Sequence, residues 1–147
     1  MRDTKGFTLV ELLAVIVILA VVALITTPLI LNVINDARKK GAEDKAWGTI
    51  DAVKLAYTEA QYGSTAPALT SSGITVTFTK SGTTLSNDSE TRLGRAVKVS
   101  GDIPESGTVT IAENGTITCS NLKFSNQGTF CCSTTDGMTM SCGSCES

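Results

Sequence analysis

The chain has 147 residues, a formal net charge of -2 and no histidine. That length fits a single domain, and a nearly balanced charge without a basic stripe gives no electrostatic basis for nucleic-acid binding. The lack of histidine excludes histidine-based acid–base catalysis and histidine metal sites. With no nucleophile–base pair, catalytic carboxylate pair or phosphate-binding loop in the sequence, we expect neither an enzyme nor a cofactor.

A long apolar stretch follows a short polar leader. Residues 7–31 are apolar except for a few positions: Thr8, Glu11, Thr26, Thr27 and Pro28. A bilayer core of ~30 Å needs about 20 apolar helical residues, so the stretch predicts a membrane-spanning helix. The leader, Met1–Gly6, is too short and polar for an ordinary signal peptide, whose apolar region precedes the cleavage site.

One carboxylate, Glu11, interrupts the start of the apolar stretch. A charged side chain inside a membrane helix costs roughly 2.5 kcal/mol or more unless it has a partner. Glu11 therefore either stays wetted near the interface or pairs with a positive charge. Cleavage after Gly6 would place a new amine on Phe7, one helical turn from Glu11 on the same face. That amine then pairs with its own Glu11 or with the Glu11 of a packed neighbour.

The junction Lys5-Gly6-Phe7-Thr8-Leu9-Val10-Glu11 resembles the prepilin processing site of type IV pilins and type II secretion pseudopilins. The resemblance implies cleavage after Gly6 by a membrane aspartyl peptidase and N-methylation of Phe7. It also implies assembly into a helical filament whose core holds the apolar helices, with Glu11 as an assembly residue. The resemblance covers residues 1–62, and beyond them only the architecture carries over.

The same resemblance implies a set of partners and a location. The expected partners are further copies of the chain, related minor pilins, the prepilin peptidase, an inner-membrane assembly platform and the membrane itself. Arg2 and Lys5 favour a cytoplasmic N-terminus, whereas Arg38–Lys40 beyond the apolar stretch weigh the other way. The expected topology therefore rests on the resemblance: a single-pass protein with its head outside the cytoplasm, and a surface filament after assembly.

The residues from Thr8 to Tyr62 predict one long helix with two weak points. Pro28 removes a backbone donor, and Thr26 and Thr27 are placed to bond the freed carbonyls. In the pilin family a proline in this region coincides with a segment that extends on assembly, so Pro28 is an expected assembly residue. Gly41 is the second weak point, at about 1 kcal/mol relative to alanine.

Beyond the membrane segment the helix becomes amphipathic. Apolar residues recur there at spacings of three and four, which predicts a stripe packed against a sheet. The stripe is Ala46, Ile50, Val53, Tyr57 and Ala60. Trp47 lies beside it and is expected in the core. The charged run from Arg38 to Lys45 is expected to be a solvated face, with salt bridges between subunits as the alternative.

The rest of the chain predicts a small antiparallel sheet. A Gly/Ser/Thr/Pro-rich break spans Gly63–Gly73, and residues 81–90 read as a polar loop. The predicted strands are 74–78, 96–99, 108–112, 116–120, 129–134 and 138–142. Asn114-Gly115 and Asp136-Gly137 predict hairpin turns. The fold class is therefore α+β and pilin-like: a leader (1–6), an apolar helix (7–31), its amphipathic continuation (32–62) and a β-rich head (63–147).

Five cysteines lie near the C-terminus and indicate disulfides formed in an oxidising compartment. They are Cys119, Cys131, Cys132, Cys142 and Cys145. A two-residue turn at Asp136-Gly137 would place Cys131 opposite Cys142, whereas a one-residue bulge would exchange the roles of the adjacent cysteines. With Cys131 opposite Cys142, Cys132 would need another partner, such as Cys119 or Cys145. In either register one cysteine is left free or intermolecular. A terminal disulfide loop is also what the pilin resemblance implies.

Two other uses of the cysteines are less favoured. A four-thiolate zinc site lacks the usual Cys-x2-Cys knuckle, and a redox pair at Cys142 and Cys145 lacks a thioredoxin-like context. Some related pseudopilins bind calcium near the C-terminus, but Asp136 is the only acid there before Glu146. We expect no metal.

The sequence therefore predicts a structural subunit of a type IV pilus-like filament. One alternative is a pseudopilin of a type II secretion or DNA-uptake system, which would assemble through the same segment. Another is a membrane-anchored binding module that never polymerises, and a third is an anchored redox or zinc protein.

Overall fold

The computed structural model describes residues 6–63, 73–81, 84–94, 96–125 and 129–145. The predicted leader before Gly6 and most of the predicted break at Gly63–Gly73 lie outside these residues. The chain divides into two compact units, Met1–Ala37 and Arg38–Ser147. Each unit is described by itself.

One helix, α1, runs from Leu9 to Gln61 and so supplies residues to both units. This confirms the predicted single long helix to within one residue at either end. Pro28 lies inside α1, which continues as helix through it. In the first unit all residues from Gly6 to Ala37 are exposed, so no protein core covers its apolar side chains.

The second unit, Arg38–Ser147, adds the second half of α1 to the predicted β-rich head, and from here on the whole unit is called the head. It contains a six-stranded antiparallel sheet. The strands are β1 (Ile74–Ser81), β2 (Thr84–Asn87), β3 (Ser106–Ile111), β4 (Ile117–Phe124), β5 (Phe130–Thr134) and β6 (Ser141–Ser144). Their spatial order is β2-β1-β3-β4-β5-β6. Strands β3 to β6 form a meander, while β1 lies beside β3 and pairs with β2 at the opposite edge.

The hairpin between β3 and β4 turns at Asn114-Gly115, as the sequence predicts. Ile111 and Ile117 are the last paired residues. The N–H of Gly115 donates to the carbonyl of Ala112 at 2.9 Å, and Gly115 has the positive φ (81°) of the left-handed residue that follows a turn of this kind. The Asn114 Oδ1 accepts a hydrogen bond from the backbone N–H of Thr116 at 3.0 Å. Asn114 does not adopt a positive φ, so Gly115 alone supplies the left-handed residue of this loop.

Two predictions in the middle of the head are wrong. The expected loop at 81–90 contains strand β2 and the start of a short helix, α2 (Ser89–Leu93). The polar composition of β2 suits an edge strand, which has a neighbour on one side only. The expected strand at 96–99 has no ladder: the N–H of Val97 donates to the hydroxyl of Ser89 at 2.7 Å. Exposed and buried residues do alternate there, because Val97 enters the core while Ala96 and Lys98 stay exposed.

The core of the head lies between the second half of α1 and one face of the sheet. The helix residues in it are buried at helical spacings: Ala42, Ala46, Ile50, Val53 and Ala56. The sheet supplies side chains from every second position of its strands, including Val76, Phe78, Val109, Ile111 and Leu122. Trp47 and Tyr57 are partly buried and pack against this core. The predicted stripe is therefore confirmed as the buried face of the helix.

One residue of the predicted solvated charge run, Lys45, forms an ion pair within the head. Lys45 forms a salt bridge with Asp102, in the segment before β3, and is mostly buried there. Arg38, Lys39 and Lys40 are exposed, as expected. The alternative of salt bridges between subunits thus does not describe Lys45, whose partner lies in its own chain.

Candidate functional site

The predicted processing site lies just before α1 in non-helical backbone. Gly6, Phe7 and Thr8 precede the first helical residue, Leu9, and Phe7 is 87% exposed. A Cβ atom added to Gly6 would meet no atom within 4 Å. The packing of the described residues therefore does not require glycine at this position.

The first turn of α1 is closed by a capping box. The Glu11 Oε2 atom accepts hydrogen bonds from the backbone N–H and the hydroxyl of Thr8, both at 2.8 Å. In return the Thr8 hydroxyl accepts the N–H of Glu11 at 3.3 Å. This reciprocal arrangement satisfies backbone donors that the start of a helix leaves unpaired.

Sequence reasoning missed this role of Thr8, although the signal was present. A serine or threonine followed three residues later by glutamate, just before an apolar run, is the standard capping-box pattern. From the sequence, Glu11 is interpreted only as a charge, either wetted near the interface or paired with an amine. The structure shows that its carboxylate also fixes where the helix begins. A negative charge in the first turn is favourable too, because it lies at the positive end of the helix dipole.

The stretch after Glu11 is one continuous apolar surface. Within the described residues α1 is the one helix long and apolar enough to cross a membrane, and its apolar window is not buried in the molecule. A helix that is apolar on all sides needs lipid or other apolar helices around it. Those features fit a membrane-anchored precursor.

The hydroxyls beside Pro28 bond to the helix, though not to the carbonyl that the proline leaves free. Thr26 donates to the carbonyl of Val22 at 3.0 Å, and Thr27 donates to that of Ala23 at 2.7 Å. The carbonyl four residues before a proline is the one that loses its donor, which here is Leu24. The two threonines therefore stabilise the turn before that point, a correction to their predicted partners.

The cysteines form two disulfides on one hairpin. Cys132 and Cys142 are direct cross-strand partners and are joined, and Cys131 is joined to Cys145. The register predicted from a two-residue turn, with Cys131 opposite Cys142, is wrong by one residue. Six residues, 135–140, connect β5 to β6, so the alternative with exchanged roles is the one that the structure adopts.

The loop at Asp136 explains the altered register. The Asp136 Oδ1 atom accepts the N–H groups of Met138 and Thr139, both at 2.9 Å, and the hydroxyl of Thr134 at 3.0 Å. Oδ2 accepts the Thr139 hydroxyl at 2.6 Å. These bonds favour the charged carboxylate and hold the pKa of Asp136 well below its usual range. They organise a wide loop where the dipeptide alone predicted a tight turn.

The fifth cysteine, Cys119, is a buried free thiol in the core. Its Sγ lies 3.9 Å from the carbonyl oxygen of Cys132 and 3.8 Å from the Sδ of Met140. Burial raises the pKa of the Cys119 thiol. In the folded head this cysteine is therefore poorly placed for an intermolecular disulfide, one of the two fates that the sequence left open.

A second carboxylate, Glu105, ties together three segments of the head. It accepts hydrogen bonds from Lys80 of β1 and from Ser125, which follows β4. The bond from Lys80 is the main reason that the pKa of Glu105 is lowered, followed by that from Ser125. These contacts show that Glu105 contributes to the fold of the head. Among the residues described, no group of three or more acidic or cysteine side chains is arranged to hold a metal.

Comparison with known proteins supports the interpretation of the N-terminus. The family model described as the prokaryotic N-terminal methylation motif matches residues 1–27. The chain carries the type IV pilin and pseudopilin signature. No curated protein and no solved structure matches the chain. The pilin signature covers Gly6, Phe7 and Glu11, and it ends before Pro28 and the cysteine-rich hairpin.

Proposed function

We propose that this protein is a structural subunit of a type IV pilus-like surface filament. The observation that supports this best is the pairing of a pilin signature with an uncovered apolar helix and a separately packed head. In this proposal the chain is cleaved after Gly6, methylated at Phe7 and polymerised through residues 7–31. The apolar helices of many copies then cover one another, which supplies the apolar surroundings that the single chain lacks.

The geometry at Glu11 supports an electrostatic step in assembly. The capping box uses one carboxylate oxygen, Oε2, so the cap does not require Oε1. Cleavage would create an amine on Phe7 within one helical turn of this carboxylate. In an apolar filament core an unpaired charge is costly, so pairing between the Phe7 amine and Glu11 of a neighbouring copy would favour one axial register.

Processing and assembly imply the remaining partners of this proposal. A prepilin peptidase would act at the exposed Gly6–Phe7 bond, and an inner-membrane platform would extract the helix into the filament. Before assembly the chain would cross the cytoplasmic membrane once, with its N-terminus inside and its head outside. Minor pilins would share the same core through the same segment.

The experiment that tests the proposal is intact-mass analysis with N-terminal sequencing of the protein from its native host. We expect a chain that begins at N-methylated Phe7. A Gly6→Val variant should stay uncleaved and membrane-bound, because the β-branched side chain obstructs the peptidase without altering the packing of the chain itself. A chain that still begins at Met1 in the wild type would favour the anchored, non-polymerising module.

Filament formation is tested separately at Glu11. We expect Glu11→Ala to insert into the membrane yet yield few filaments, because the Phe7 amine loses its charge partner. Glu11→Gln is the matched control: glutamine still completes the capping box but carries no charge. Normal filament yield from Glu11→Gln would reject the electrostatic step and leave capping as the role of Glu11. Sheared filaments from wild type, rather than short structures confined to the envelope, would favour a pilus over a secretion pseudopilus.

A further inference from the structure

The β5–β6 hairpin carries one disulfide on each face of the sheet. Cys131 and Cys132 are consecutive on β5, and consecutive strand residues point to opposite faces. Cys132 turns inward and joins Cys142, whereas Cys131 turns outward and joins Cys145. The inner bond links β5 to β6, and the outer bond links β5 to Cys145, the residue directly after β6. Strand β6 is an edge strand of the sheet.

The two disulfides differ sharply in exposure. Cys132 is 0% exposed and Cys142 is 4% exposed, and both belong to the hydrophobic core. Cys131 and Cys145 are only partly buried, on the face away from that core. Thiol–disulfide exchange requires a thiolate to reach a sulfur atom in line with the S–S bond, so access controls its rate.

We propose that this hairpin is a two-stage redox clasp. A small dithiol opens Cys131–Cys145 in the folded head, whereas Cys132–Cys142 opens only when the sheet itself opens. In the first stage a dithiol thiolate attacks one sulfur of the outer bond and releases the other as a thiolate. The second thiol of the reagent then displaces the protein sulfur, which leaves two cysteine thiols and an oxidised, cyclic reagent.

The ladder and the inner bond explain why the first stage leaves the fold intact. Strand β6 remains paired with β5 from Phe130–Ser144 to Ser133–Ser141, and Cys132–Cys142 still joins the strands at the centre. Outer reduction is therefore a local and reversible change. Inner reduction requires loss of the core that covers it, so it coincides with unfolding of this edge.

Burial of the Cys119 thiol protects the Cys132–Cys142 disulfide from exchange with it. Cys119 lies on β4, next to β5, and its Sγ contacts the backbone of Cys132. Exchange with the inner bond would need the Cys119 thiolate, which burial disfavours. The native pairing thus persists while the core is closed, and scrambling through Cys119 is expected only once it opens.

The test is timed reduction of the oxidised full chain in detergent micelles with dithiothreitol. Samples are acid-quenched, alkylated with N-ethylmaleimide under denaturing conditions and counted by intact mass against an unreduced control. We expect a plateau with two additional labels in native buffer, from the outer bond, and two more only after denaturant is added. The inner bond should react at least about tenfold more slowly than the outer bond in native buffer.

Two variants assign the stages. Cys132→Ala/Cys142→Ala keeps only the outer bond and should reproduce the fast stage, whereas Cys131→Ser/Cys145→Ser keeps only the inner bond and should resist reduction until denaturant is present. Simultaneous loss of both bonds in native wild type, or inner reduction first, would overturn the proposal. The label count of the wild type decides the matter even if the core variant fails to fold.

Discussion

The two halves of helix α1 belong to one continuous element, yet they are built for different surroundings. From Leu12 to Ile25 apolar side chains occupy every face and remain exposed, whereas from Arg38 to Gln61 one face is apolar and buried. Both halves are α-helical, and apart from the donor that Pro28 lacks their backbone hydrogen-bond pattern is the same. The difference shows that side-chain pattern, rather than helix formation, decides which half has a core of its own and which half depends on lipid or other helices.

The largest effect should come from truncating the buried face of the second half. Ile50 is 4% exposed, and Ile50→Ala should lower the free energy of unfolding of the head by about 2–5 kcal/mol, since it leaves a cavity. The measurement is a urea titration of the full chain in detergent, followed by Trp47 fluorescence.

The matched control is Ile16→Ala in the first half. Ile16 is 53% exposed, and its truncation should change the stability of the head by no more than about 0.5 kcal/mol. Equal losses from the two variants would contradict the division between a half with its own core and a half without one.

The next effect concerns the stability that the two disulfides give to the β5–β6 edge of the sheet. Replacing all four bonded cysteines should cost about 3 kcal/mol of unfolding free energy, the value for a closed loop of about 15 residues. The two loops are nested, with separations of 14 and 10 residues, so either disulfide alone retains most of this constraint. Removal of the outer pair alone should therefore cost less than about 1 kcal/mol, by the same titration. Additive losses would show that each bond constrains the chain independently.

The smallest effect concerns the pH dependence of the head. The pKa of Glu105 is lowered in the folded state by the bonds from Lys80 and Ser125. Its contribution is thus fully present above the ordinary glutamate pKa and is lost as the pH falls through the lowered value. Thermal melts of wild type between neutral and acidic pH should show this loss. Glu105→Gln should reduce the acid dependence and leave the part that comes from Asp136, whose pKa is also lowered.

Glu113→Gln, at the exposed tip of the β3–β4 hairpin, is the control for that measurement. It should leave the acid dependence of the melting temperature as in wild type. An equal flattening by both variants would assign the effect to net charge rather than to the contacts of Glu105.

The sequence-based predictions were accurate where a local pattern decides the structure and failed where specific contacts decide it. The apolar run, the helical stripe and Asn114-Gly115 predicted their structures well, because each depends on residues close together in sequence. Strand β2 was missed because its pairing with β1, rather than its polar composition, makes it a strand. The hairpin register failed because the side chain of Asp136 bonds Thr134, Met138 and Thr139, and a dipeptide rule contains no such contacts.

The candidate site shows a similar limit. Gly6, Phe7 and Glu11 were identified from a pattern, and their processing and assembly roles stay predictions. The capping role of Glu11 becomes visible only when its carboxylate is considered together with the Thr8 hydroxyl three residues earlier. The cysteine pairing depended on a single residue of register, a quantity that composition and spacing leave open.

The adjacent cysteines of β5 have a consequence for how the hairpin reaches its final alignment. If β6 slipped by one residue against β5, every side chain of β6 would change faces. Cys142 would then leave the core, and neither cysteine would meet its present partner. Because consecutive side chains point to opposite faces, the two native disulfides can form together only in the native alignment of β5 and β6. Oxidation would therefore retain chains with the native alignment and leave slipped chains open to further rearrangement.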